Sequence, residues 1–167
     1  MAGRIEERIG ELGLVLPGPL KVPAGVKVAL VPVRVLGRRV LVSGHGPQEA
    51  DGSVARPLGQ VGADGQVGAE VTVEQAVEAA RKVALAMLGS IRRAIGDLDR
   101  IDCWARVFGM VNSAPGFTGQ TAVINGFSEQ VVEIFGEERG LATRSAVGMA
   151  ALPFGIPVEV EAELQLK

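Results

Sequence analysis

The chain has 167 residues, 47% hydrophobic and 22% charged, with a formal net charge of -2. This length suits one compact core, and the near-neutral balance argues against a dedicated nucleic-acid binder, whose affinity rests on many Lys and Arg contacts to phosphate. A single Cys103 and a single His45 exclude a disulfide framework and every zinc signature that needs two histidines.

No stretch approaches the ~20 apolar residues of a bilayer span. Charges at Arg4, Glu6, Glu7 and Arg8 fall where a signal peptide carries its apolar run, so the expected location is the cytoplasm. Residues 3–13 place Ile5, Ile9 and Leu12 on one stripe and predict a short amphipathic helix, stopped before Pro17 and Pro19. Together residues 1–18 form an N-terminal helical extension. Two Val/Leu-rich runs follow, Val26–Val35 and Arg39–Ser43, separated by Leu36-Gly37-Arg38; they predict a β-hairpin. Pro32 inside the first run lacks a ladder donor, so that strand belongs at an edge or a bulge. Ser43-Gly44-His45-Gly46-Pro47 then forces a turn, either with His45 exposed on it or with the segment lining a pocket.

Residues 48–71 are polar and glycine-rich and predict a long loop or an extra hairpin. Gly62, Gly65 and Gly68 lie here at a spacing that matches no phosphate-binding loop. Thr72 and Gln75 match a capping box, and a helix follows with Val77, Ala80, Val83, Ala84, Met87, Leu88, Ile91 and Ile95 inward and Gly96 as its stop. Ile101–Val111 alternates as a strand, with Trp104, Arg106 and Phe108 on one face and Cys103, Ala105 and Val107 on the other. Cys103 is expected to be buried as a small hydrophobe. Phe117–Phe135 predicts a second long helix, Thr143–Leu152 a strand and Val158–Leu166 a final strand, with Glu159, Glu161 and Glu163 facing away from its apolar side. The order predicts an α+β sandwich, one sheet with two long helices on one face, as one domain over 1–167.

Arg144 is the candidate with most chemistry. Period two puts it beside Ala146 and Gly148, small residues that leave room for a guanidinium, the side chain suited to gripping a carboxylate through two hydrogen bonds. The competing reading is a structural ion pair with Glu159, Glu161 or Glu163. Such a cation would relieve the repulsion among those acids and hold a glutamate below its usual pKa. The serine-hydrolase elbow is missing, since Leu41 stands where its first Gly would be.

Ala142-Thr143-Arg144-Ser145, continuing through Ala151-Leu152-Pro153 to Val158-Glu159-Val160-Glu161-Ala162, resembles the C-terminal signature of the RidA/YjgF family. Leu41-Val42-Ser43-Gly44 is similar to that family's early Ser-Gly strand end. The likeness is to a longer-chain branch; the chain has no Tyr, and Ala146 stands where many members carry Cys. The resemblance implies a chorismate-mutase-like fold, a homotrimer with clefts between subunits, and no cofactor or metal. It implies hydrolysis of 2-imino and 2-enamino acids to 2-oxo acids and ammonia. Arg144 would bind the substrate carboxylate and Glu159 would position water. Ser43, Gly44, Ser145 and Ala146 would line the cleft. The alternatives are a non-catalytic regulator binding a small carboxylate in the same cleft and, with less support from the charge balance, an endoribonuclease or translation inhibitor.

Overall fold

Strict alternation makes the last strand the spine of the sheet. In the computed structural model, which describes residues 3–63 and 69–167, β5 (Val158–Leu166) buries Val158, Val160, Ala162, Leu164 and Leu166 and turns its acids outward. The labels are α1 (Arg4–Glu11), β1 (Val33–Leu36), β2 (Arg39–His45), α2 (Val73–Ile95), β3 (Ile101–Asn112), α3 (Gln120–Phe135), α4 (Glu137–Gly140), β4 (Thr143–Met149) and β5. Among the described residues the sheet runs β1-β2-β5-β3-β4. Only the β3–β4 pair is parallel, joined by α3 as a crossover; the other pairs are antiparallel.

α2 and α3 pack side by side on one face of this mixed sheet, the α+β sandwich that the element pattern predicts. Thr72 and Gln75 close their capping box, and Gly96 ends α2 at φ 84. The two helices approach closely at Gly126, where a Cβ would lie 2.3 Å from the Val77 carbonyl oxygen. Trp104 meets Phe127 and Phe135 edge-on, at centroid distances of 5.7 and 6.1 Å, and fixes α3 against β3. α1 docks through buried Ile5 and Ile9.

Four expectations change. The first hairpin strand is only Val33–Leu36; residues before it run as an extended strap, because Pro32 cannot donate to a ladder. It is nevertheless an edge strand. In β3 the register shifts between Trp104 and Arg106, so Trp104 and Val107 share the helix side while Arg106 and Phe108 face the open side. That bulge breaks the simple alternation. Cys103 is half-buried on the same open side rather than in the core. α3 begins at Gln120 and β4 ends at Met149, each shorter than its apolar run. Residues 48–63 and 69–71 form a loop pinned by isolated bridges; Gly65 and Gly68 lie outside the described residues.

Candidate functional site

β4 is an edge strand, and the pairing of Arg144 with Val107 puts Arg144 on the helix side of the sheet. There α3 meets it: Arg144 Nη1 donates to Ser128 Oγ at 2.9 Å and Nη2 donates to Asn125 Oδ1 at 2.9 Å. Both partners are neutral, and among the described residues the guanidinium has no carboxylate within ion-pair distance. An arginine offers five N–H donors in a flat fork, and two such bonds orient that fork while leaving its charge uncompensated. No motif in the sequence singles out Asn125 and Ser128. Their i, i+3 spacing, which sets both on one helix face, was the available signal.

Glu159 stands on the opposite side of the sheet. β3 lies between β5 and β4, so two strand spacings of about 4.8 Å and the thickness of the sheet separate it from Arg144. The two residues do not meet within one chain, and the ion pair considered from pattern alone does not form. Of the β5 acids, Glu163 finds another cation: Arg39 Nε donates to Glu163 Oε1 at 2.7 Å, which holds the Glu163 carboxyl below its usual range. Glu159 moves the other way. Half-burial and then the neighbouring Glu161 push its pKa up, so the lowering expected beside an arginine is replaced by a rise.

The Glu159 carboxylate lies over Gly44, where a Cβ would come within 2.0 Å of Oε1; any side chain at 44 would evict it. The Ser43 hydroxyl donates to Val31 O at 2.8 Å and its N–H to Pro32 O at 3.0 Å, so Ser43 fastens the strap to β2. Ser145 is exposed on the open side of β4, and Ala146 is half-buried beside Arg144 on the helix side.

His45 is buried, not exposed on a turn. Its Nδ1 lies 2.7 Å from the Ser43 carbonyl, a partner that only accepts, so the proton sits on Nδ1 and Nε2 takes the Ser90 hydroxyl at 2.9 Å. Arg93 donates to Ser90 Oγ at 3.0 Å and to Pro17 O at 2.9 Å. Burial lowers the His45 pKa against the pull of the Ser43 carbonyl, and the Arg93 charge adds to the lowering. His45, Ser90 and Arg93 line a cavity of about 760 Å³ that also reaches Gly44 and Glu159. Among the described residues no group of acids, cysteines and histidine is arranged to hold a metal ion, and no helix is long and apolar enough to cross a membrane.

No family model matches the chain. It is 38% identical over 165 residues to Protein TCP17 of Trypanosoma cruzi, covering 99% of this chain and 96% of that protein. The crystal structure of Atu1372 from Agrobacterium tumefaciens, a protein of unknown function, superposes with a TM-score of 0.82 at 36% identity, covering 98% of this chain and 93% of that one. The YjgF gene product of E. coli shares the fold, with a TM-score of 0.56 at 18% identity over 92% of this chain and 98% of its own. Some solved structures of this fold carry endoribonuclease as a candidate description.

Proposed function

Because the chain belongs to the RidA/YjgF family, we propose that it hydrolyses 2-imino and 2-enamino acids to 2-oxo acids and ammonia. The observation that carries this reading is Arg144: a fixed guanidinium with no acid partner among the described residues, held by two neutral side chains at a sheet edge. Such a group is prepared for an incoming carboxylate rather than for a structural ion pair.

The reaction asks little of the protein. The iminium carbon is already electrophilic, so gripping the acid and delivering water supply much of the rate. Water adds to that carbon and gives up a proton to the Glu159 carboxylate. Glu159 returns that proton to the carbinolamine nitrogen, the C–N bond breaks and ammonia leaves; the hydroxyl proton passes back to Glu159 as the carbonyl forms and is carried off by ammonia as ammonium. A glutamate with a raised pKa is better suited to this exchange than one held down by an arginine, and general-base help of this kind is worth about 10²–10⁴-fold.

Since Arg144 and Glu159 lie on opposite sides of one sheet, the site is proposed to form where two copies meet, in a homotrimer. An open sheet face carrying half-buried Leu41, Phe108 and Met110 beside Arg106 and Glu161 supports such an assembly. The endoribonuclease reading receives less support, because the acids of β5 crowd this face and phosphate contacts need cations.

Imino acids generated in place by an amino-acid oxidase test the proposal: the protein should speed appearance of the 2-oxo acid above the rate in buffer. Two hydrogen bonds to a charged group are worth about 1.5–3 kcal/mol each, so Arg144→Ala should lower kcat/KM by at least about a hundredfold. Equal rates with and without protein would end the proposal. Calorimetric binding of a 2-oxo acid without any turnover would favour a non-catalytic carboxylate-binding protein instead.

A further inference from the structure

The cavity beside Glu159 is walled by parts of the chain that the proposed chemistry does not use. On one side lies the strap of residues 19–33, contributing Leu20, Val22, Val28 and Leu30. On the other lie the last turns of α2 and the end of β2. Phe154, partly exposed, also lines it, and Gly44 and Glu159 line it where the proposed chemistry takes place.

Three observations bear on what fits there. First, the volume of about 760 Å³ falls within the range of small-molecule sites and exceeds what the smallest 2-imino acids need. Second, His45, Ser90 and Arg93 on its inner wall answer one another, while Gln48 Oε1 on the same cavity is buried without a hydrogen-bond partner among the described residues. His45 uses both ring nitrogens, and the Ser90 hydroxyl both donates to His45 and accepts from Arg93. The strap, by contrast, holds Val22, Val28 and Leu30 at 37–55% exposure, apolar surface that the chain's own core does not cover. Third, Phe154 adopts φ 59, the one positive φ at a non-glycine position among the described residues. A bulky side chain in that region costs free energy, and such outliers persist where position serves a purpose.

The strap is tied down on both sides of this apolar stretch. Gly18 and Lys21 bond to the backbone at Ala50 and Gly52, Arg93 holds Pro17 O, and Ser43 holds Val31 O and Pro32 O. Between these ties the wall is fixed in place while its side chains remain uncovered.

We propose that this cavity receives the substrate's side chain, and that the protein selects 2-imino acids bearing a large apolar group, branched aliphatic or aromatic, over the smallest members of the class. The inference rests on the deaminase reading, since Glu159, which lines the cavity, is the group assigned to water. Leu30 and Phe154 are the specificity-determining residues.

The test uses the full chain with imino acids generated from leucine, phenylalanine and alanine. The leucine- and phenylalanine-derived compounds should be turned over with kcat/KM at least about tenfold above the alanine-derived one. Phe154→Gly, which suits the positive φ and so preserves folding, should bring that ratio toward one, as should Leu30→Glu on the exposed strap. Equal acceleration of all three, or a ratio that survives both substitutions, overturns the inference and leaves the deaminase reading standing. If none is accelerated, the deaminase reading fails, and calorimetry then decides the cavity. Tighter binding of 4-methyl-2-oxopentanoate than of pyruvate, lost in Phe154→Gly, upholds the cavity's preference; equal or absent binding overturns it.

Discussion

Glu159 and His45 carry opposite pH signatures from neighbouring positions around one cavity. Glu159 has a folded pKa above its ordinary 4.5, so the folded chain keeps that proton to higher pH than the unfolded chain does. Its contribution to stability is therefore full below about pH 4.5 and is lost as pH rises through the raised value. Glu159→Gln should raise the melting temperature at neutral pH, with the gain closing as pH falls toward 4; a variant less stable than its parent at pH 7 would contradict this. His45 has a folded pKa below its ordinary 6.5, so its contribution is full above about pH 6.5 and is lost as pH falls through the folded value. It is the chain's only histidine, and a single imidazole signal by NMR should still be neutral at pH 6.5. Titration at or above that pH would refute the buried network with Ser43 and Ser90. Neither shift was legible in the sequence. Ser43-Gly44-His45-Gly46 reads locally as a turn, and what buries the imidazole is Ser90 and Arg93, 45 and 48 positions further on.

At the scale of elements, long periodic segments were legible and local irregularities were not. The capping box at Thr72, the stop at Gly96 and the alternation of β5 each depend on neighbours in sequence, so they held. The bulge in β3 depends on how Trp104 seats between Phe127 and Phe135, a tertiary demand that shifts the alternation by one residue. Val-rich composition alone reads as strand where the chain forms a strap; the prolines at 17, 19, 23 and 32 are the better guide. Helix packing gives a sharp element-level prediction. With 2.3 Å between a new Cβ and Val77 O, Gly126→Ala must push α3 off α2, and should cost about 1–3 kcal/mol in denaturant unfolding despite alanine's better helix propensity. A neutral or stabilising result would mean that the helices do not approach so closely.

For the whole molecule, the decisive fact is which side of the sheet each functional group occupies. The signature around Arg144 and Glu159 pointed to the family and its fold, and period two correctly set Arg144 with Ala146 and Gly148. Pattern within one strand says nothing about which side of the sheet carries the helices, so whether Arg144 and the β5 acids could meet stayed open until the topology put β3 between them. A chain whose cation and carboxylate are thus separated needs a second copy to complete the proposed site. Mixing two inactive variants, Arg144→Ala and Glu159→Gln, during co-expression or joint refolding measures this directly. In randomly mixed assemblies about a quarter of the clefts receive an intact arginine from one copy and an intact glutamate from the other, whatever the number of subunits in the ring. The account predicts that about a quarter of the parent deaminase activity returns in the mixture, although each variant alone has almost none. Mixed assemblies that form and yet stay as inactive as their parts would contradict it.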